Sequence, residues 1–275
     1  MRGTRHAAVI LPSVSATQPV PREAPAPDPA VVDGLGADLR AAGYTVAGIE
    51  ELLGGPADAA LTNGTWWPAL RATAKAPAEF SARATLIRLF LLGATEPEAA
   101  ARHAFPSVSV DRLVAQGVLE IDPSSGVRAL LDIRPHPGTA GDDDAQPADL
   151  YVVSDQDPLL RPGAVAHDHV LGIGGASMSL AQAVIRTPAR RALDLGTGCG
   201  IQALHMDAHC ETIVATDTNQ RALALAASTA RLNGMDWDLR AGSLFEPVAG
   251  ERFDLIVSNP PFVVGSGAHD YIYRD

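Results

Sequence analysis

Two short stretches of this sequence carry residue types whose spacing can do chemistry. The first is Arg191-Ala-Leu-Asp-Leu-Gly-Thr-Gly-Cys-Gly-Ile201, where an apolar-rich run leads to Asp194 and glycine falls at 196, 198 and 200. A buried strand, a tight glycine turn and a helix in that order open a nucleotide-type α/β unit. The glycine spacing is G-x-G-x-G rather than G-x-G-x-x-G, so a pyrophosphate cradle is poorly matched. Asp194 stands just before the first glycine, where an anion repels a diphosphate and suits a cation. S-adenosylmethionine is such a ligand, with a sulfonium, an ammonium and no phosphate. A tight turn that merely needs small residues is the plainer alternative.

The second stretch is Ser258-Asn259-Pro260-Pro261-Phe262. Methylating a planar nitrogen is hard because its lone pair is delocalised. The Asn259 side-chain oxygen and the Pro260 carbonyl can each accept one N–H of an –NH₂ group, which leaves the lone pair pointing at a methyl donor. Phe262 can stack on the planar group, and the prolines remove competing backbone donors. No strong base is needed, because the proton can leave after transfer. Asp217 completes the constellation. It lies 21 residues after Gly196, near the spacing at which a carboxylate meets a ribose.

These residues need a scaffold, and the hydrophobic pattern supplies one. Strands are expected over 192–195, 212–215, 238–241 and 253–258, with helices over 201–208 and 219–232. In a parallel sheet, ligands sit at the carboxyl ends of the strands, where Asp194, Asp217 and Asn259 would meet. Just upstream, Leu171-Gly-Ile-Gly-Gly-Ala-Ser177 is a second glycine turn, with Ser179 and Gln182 placed to cap the next helix. It is either an ordinary helix entry or a wall of the cofactor pocket. His167-Asp-His169 puts two imidazoles on alternate residues, but no further ligand can be placed beside them, so no metal site is expected.

The front of the chain reads differently. A Pro-rich leader (1–29) gives way to a helical domain over 30–135, then a Pro/Gly/Asp linker (136–148) and the α/β domain over 149–275. Helices are expected over 30–42, from Thr45 to a stop at Gly54-Gly55-Pro56, around Trp66-Trp67, and over 81–93. Thr95-Glu-Pro-Glu98 reads as a capping box, and a further helix begins at Ser109. Val118–Ile121 and Val127–Ile133 then form a hairpin. Helices followed by a hairpin give a winged-helix-like order, which could serve nucleic acid or protein recognition, or only packing and dimerisation. The Trp pair is either a stacking platform or core; core is the expectation.

A formal charge of −11 argues against binding nucleic acid by bulk electrostatics, though a local patch remains open. Cys199 and Cys210 are too few for a disulfide framework, which fits a reduced, cytoplasmic setting. No run approaches the roughly 20 apolar residues of a membrane span.

Asp194-Leu-Gly-Thr-Gly-Cys-Gly200, Asp217 and Asn259-Pro-Pro-Phe262 resemble class I S-adenosylmethionine-dependent methyltransferases. They are similar to the branch with an Asn-Pro-Pro-aromatic motif: the HemK/PrmC-type release-factor glutamine methyltransferases, the small-domain ribosomal RNA methyltransferases and the adenine amino-methyltransferases. The two-part layout resembles actinobacterial methyltransferases with a winged-helix-like front module. The resemblance covers about residues 165–275 and implies a Rossmann-like sheet, S-adenosylmethionine as cofactor, and RNA or a translation-factor protein as substrate. It implies that Asp194, Gly196, Thr197, Gly198 and Gly200 border the methionine part, and Asp217 the ribose. Ser243 and Leu244 would flank the adenine, and Asn259, Pro260, Pro261 and Phe262 the acceptor amine. Two departures stand out. Gly242-Ser243-Leu244-Phe245 has Ser243 where relatives often carry an acidic residue. The chain also stops at Asp275 after about four of seven strands, so a fragment or a partner-completed sheet, such as a homo-oligomer, is expected. The alternative function is a non-catalytic binding module with an incomplete methyltransferase half.

Overall fold

The structure is a computed structural model that describes residues 27–123, 126–138, 149–161 and 165–260. The expectations for residues 1–26, for 139–148 of the linker, and for Pro261 and Phe262 lie outside the described residues.

The first helix, α1 (Pro29–Ala41), starts inside the expected leader. Asp28 caps it by accepting from the Ala30 N–H, and Pro29 supplies a preset φ at the first turn. Thr45 caps α2 (Val46–Leu53) through the Gly48 N–H. Gly54 then ends α2 at φ +71° and at once begins α3 (Gly55–Thr62). The expected stop is therefore a hinge between two helices, because proline at the first turn of a helix loses no internal hydrogen bond. In α4 (Trp67–Thr73) the Trp pair divides. Trp66 packs on the core, but Trp67 is 64% exposed, which corrects the core expectation for that ring. Helix α5 (Ser81–Leu86) runs into a π turn over Ile87–Leu91.

The capping box at 95–98 does not form. Glu96–Pro97 is instead a short strand, β1, and Pro97 precedes α6 (Glu98–Ala104) without a side-chain cap. The Thr95 hydroxyl donates to Asp122 Oδ2 at 3.1 Å, and Glu96 pairs with Arg88. Pro97 has no N–H and holds an extended backbone, so the chain here pairs better as a strand than as a cap. After α7 (Val110–Ala115) come β2 (Leu119–Asp122) and β3 (Gly126–Ala129), in a sheet ordered β1-β3-β2. A Cβ on Gly126 would lie 2.6 Å from the Glu96 carbonyl, so glycine permits that close pairing. The expected return strand is broken at Leu130. β4 (Leu131–His136) turns away to pair antiparallel with β5 (Leu150–Asp155).

That pairing joins the two sides of the expected linker. Tyr44 and Tyr151 are fully buried, with hydroxyls donated to the carbonyls of Ile133 (2.8 Å) and Tyr44 (3.0 Å). Burying such rings with their hydroxyls paired avoids the cost of an unsatisfied donor.

The chain continues through α8 (Gly175–Ala183), β6 (Ala189–Leu195), α9 (Ile201–Asp207), β7 (Cys210–Asp217), α10 (Gln220–Leu232), β8 (Asp238–Ala241) and β9 (Leu255–Ser258). Helix α8 starts at Gly175 behind a Gly174 cap with no side-chain bond, so Ser179 and Gln182 lie inside it rather than capping it. The four later strands are all parallel, in the order β8-β7-β6-β9. β9 pairs with β6 alone among the described residues, and Ile256 on it is half-exposed. A helical region followed by a parallel, Rossmann-like sheet is the fold class that the pattern implied.

Helix α10 ties the halves together. Thr229 Oγ1 accepts from the Val153 N–H at 3.0 Å, Asn233 brackets the Tyr151 backbone, and Arg231 pairs with Asp33 on α1 at 2.6 Å. One apolar cluster runs through both halves, from Val31 on α1 to Leu232 on α10. Among the described residues no helix is long and apolar enough to cross a membrane.

Candidate functional site

The glycine turn between β6 and α9 carries φ values of +74°, +55° and +83° at Gly196, Gly198 and Gly200. L side chains rarely adopt this region, which explains the residue type at all three. The reasons for excluding a side chain differ, however. A Cβ on Gly200 would sit 2.7 Å from the Trp237 ring, so that glycine lets α9 leave the turn in close contact with the core. A Cβ on Gly196 or Gly198 would meet nothing within 4 Å. Their bare backbone faces open space that a ligand can use.

Asp194 is completely buried beneath this turn. Its Oδ2 accepts from the Thr197 hydroxyl at 2.7 Å and from the Ala203 N–H at 3.1 Å. Its Oδ1 is buried without a hydrogen-bond partner among the described residues. Burial pushes the carboxyl up to about 6; the Thr197 and Ala203 bonds pull against that, and the nearby Asp217 charge adds to it. Cys199, in the same turn, is also buried, which pushes its thiol up to about 12 and keeps it protonated.

Asp217 ends β7 and spans the mouth of the turn. Its Oδ2 accepts from the Gly198 N–H and its Oδ1 from the Asn219 N–H, both at 2.9 Å. Its carbonyl takes the Gly242 N–H at 3.1 Å, which hangs the Ser243–Leu244 turn beside it. Ser243 and Leu244 are both exposed, and Leu244 holds φ +48°, a strained value for a side chain with a Cβ. Ser258 Oγ donates to the Leu195 carbonyl at 2.8 Å, fixing the exit of β9 beside the exit of β6. Asn259 follows, half-buried, and donates from Nδ2 to Ser177 Oγ at 3.2 Å, while Pro260 is exposed.

The structure therefore brings Asp194, Thr197, the three glycines, Asp217, Ser243, Leu244, Asn259 and Pro260 to one sheet edge. It also adds residues that sequence reasoning missed. Asn219 Nδ2 donates to the Asp168 carbonyl at 2.9 Å, which places the His167–His169 segment against the Asp217 loop. His169 lies 3.8 Å from Asp155, which forms a buried pair with Arg221 and accepts from the Val170 N–H. Burial lowers the His169 pKa, although Asp155 opposes that shift. The proximity of Asn219 to Asp217 in sequence was an available signal, as was the place of Ser177 at the end of the second glycine turn; Gln202 gave none.

A cationic ligand fits these residues. The open backbone at Gly196 and Gly198 leaves room, the two carboxylates supply negative charge, and one carboxylate oxygen is unpartnered. Among the described residues, no cationic side chain bonds to Asp194 or Asp217.

Comparison with known proteins agrees with this geometry. Residues 161–275 match the family described as methyltransferase small domain, and residues 41–130 match a domain of unknown function (DUF7059). The chain is 44% identical over 85 residues to a release factor glutamine methyltransferase of Xylella fastidiosa, covering 29% of this chain and 30% of that protein. It is 35% identical over 103 residues to the ribosomal RNA small subunit methyltransferase C of Salmonella arizonae, covering 37% of this chain and 29% of that protein. It thus spans about 30% of the length of these curated relatives. A solved T. thermophilus 16S rRNA methyltransferase is 19% identical over 72% of this chain and 54% of that chain, with a TM-score of 0.39. The match to the methyltransferase small domain family thus takes in the glycine turn, Asp217 and Asn259.

Proposed function

We propose that the chain transfers a methyl group from S-adenosylmethionine to an amide or exocyclic amine of a macromolecule, with RNA favoured narrowly over a translation-factor glutamine. The observation that supports this most is Asn259 at the carboxyl end of β9, beside Asp194 on β6 and Asp217 on β7. Its Oδ1 has no protein donor among the described residues, so it is available to an N–H group. The names of the relatives, one a glutamine and one a ribosomal RNA methyltransferase, supply the two acceptor classes.

When bound, S-adenosylmethionine supplies an electrophilic methyl group. Asp194, Gly196, Thr197, Gly198 and Gly200 would hold its methionine part, Asp217 its ribose, and Ser243 with Leu244 its adenine. Asn259 Oδ1 and the Pro260 carbonyl each accept one N–H of the acceptor, which turns the nitrogen lone pair out of conjugation. These acceptors also stabilise the positive charge that develops on that nitrogen. Holding the nitrogen in line is worth up to about 7–11 kcal/mol. Pro261 and Phe262 keep the roles that the sequence assigns them, namely removing a competing donor and stacking on the acceptor. The front module is proposed to help select the acceptor.

The test is tritiated methyl transfer by the natural full-length polypeptide into separated ribosomal RNA and release-factor fractions. Label is expected in one fraction and lost in Asn259→Ala. No measurable affinity for S-adenosylmethionine would reject the enzyme reading in favour of a binding module. Full activity in Asn259→Ala would reject the amine clamp.

A further inference from the structure

We infer that Ser177 is a positioning residue that holds the Asn259 side chain in place at the exit of β9. The inference rests on the proposed amine clamp and deepens it. An asparagine amide has an acceptor on one side and two donors on the other, and its terminal torsion is broad and nearly two-fold. A clamp forms only while Oδ1 is held at the acceptor, so something must restrain that torsion.

Ser177 does so in this structure. It lies 82 residues from Asn259 in sequence and is 8% exposed, on the first turn of α8. Its Oγ accepts from Asn259 Nδ2 at 3.2 Å, which ties down the side-chain amide. Its own position is secured from another direction, because Gln202 Nε2 donates to the Ser177 carbonyl at 2.8 Å. Gln202 is buried on the first turn of α9, two residues after Gly200. A single residue thus joins the helix leaving the cofactor turn to the residue proposed to hold the acceptor. This assigns a role to the second glycine turn, Leu171–Ser177, which the sequence left open between ordinary loop and pocket wall. The three small residues before Ser177, Gly174, Gly175 and Ala176, let α8 begin there.

Ser177→Ala removes one oxygen. It is expected to lower kcat for tritiated methyl transfer about fivefold, the value of one net hydrogen bond, with the Kd for S-adenosylmethionine and the Tm unchanged. Ser177→Thr keeps the hydroxyl and is expected to restore kcat. Ser177→Ala/Asn259→Ala should lose no more than Asn259→Ala alone, because both changes remove one interaction. Independently of turnover, the Asn259 side-chain amide resonances should shift, and their hydrogen exchange should speed up, in Ser177→Ala but not in Ser177→Thr. Unchanged amide resonances in Ser177→Ala would overturn the inference, as would a fall of Tm and cofactor affinity in step with kcat. Wild-type kcat in Asn259→Ala would instead overturn the clamp itself, which separates the two failures.

Discussion

Asp194→Asn tests the balance between stability and ligand binding at the glycine turn. The carboxyl is fully buried and its pKa is raised from 3.8 to about 6. A group held above its unfolded value stabilises the fold fully below about pH 3.8 and loses that contribution as pH rises through about 6. The ionised form above pH 6 therefore costs about 3 kcal/mol relative to the protonated one, at about 1.4 kcal/mol per pKa unit. Asparagine is nearly isosteric, and its amide oxygen can keep the bonds from Thr197 and Ala203. Its NH₂ group would replace Oδ1, which has no partner, and leaving that group unpaired costs roughly 1–3 kcal/mol. At neutral pH the variant should thus equal or slightly exceed the wild type in stability. The sharper observable is the pH dependence. Urea unfolding of both proteins should give a stability difference, variant minus wild type, that grows by about 3 kcal/mol between pH 4 and pH 7. Over the same range S-adenosylmethionine should bind the wild type more tightly as Asp194 ionises, and the variant should lose that rise. A difference in stability that stays flat or shrinks with pH would refute the burial argument. Equal cofactor affinity in both proteins would refute the role of the buried charge.

Two further tests probe the scaffold. His205 on α9 meets His136 on β4 with Nε2 atoms 3.0 Å apart, and burial, aided by His136 and Arg186, lowers its pKa to about 4. A depressed pKa gives stability that is present above about 6.5 and lost as pH falls toward 4, so roughly 2–3 kcal/mol should disappear across that window. His205→Gln should flatten this part of the urea-unfolding profile; an unchanged slope would remove the pair as its source. Gly200→Ala should cost about 2–4 kcal/mol, from left-handed strain and contact with Trp237, while Gly198→Ala should cost about 1–2 kcal/mol yet weaken cofactor binding as strongly. Equal stability losses in thermal unfolding would contradict the division of the turn into a packing glycine and a ligand-facing glycine.

How far the sequence could be read depended on the range of the interactions involved. The parallel strands, α9, α10 and the glycine turn were legible because each is set by local periodicity and by glycine's access to positive φ. Asp194, Asp217 and Asn259 were legible because strand ends in a parallel sheet fall on one edge. Three features misled. The Thr95–Glu98 pattern matched a cap, but pairing with β3, decided by Gly126 some 30 residues away, took Glu96–Pro97 as a strand. The return strand broke at Leu130 because β5, beyond the Pro/Gly/Asp segment, was the better partner for β4. Trp66 and Trp67 are adjacent, yet one packs partly buried on the core while its neighbour is exposed.

By itself, then, the sequence determined the glycine turn and the residues at the strand ends, because these follow from backbone freedom and repeat. Only the tertiary structure decided how those residues are used. Asp194 is spent largely on bracing Thr197 and Ala203, and Asp217 is bound to the backbone of Gly198 and Asn219. Asn259 meets Ser177 because α8 and β9 pack together across 82 residues of chain. Contacts at such separations are selected by the packing of the whole core, and no local pattern encodes them.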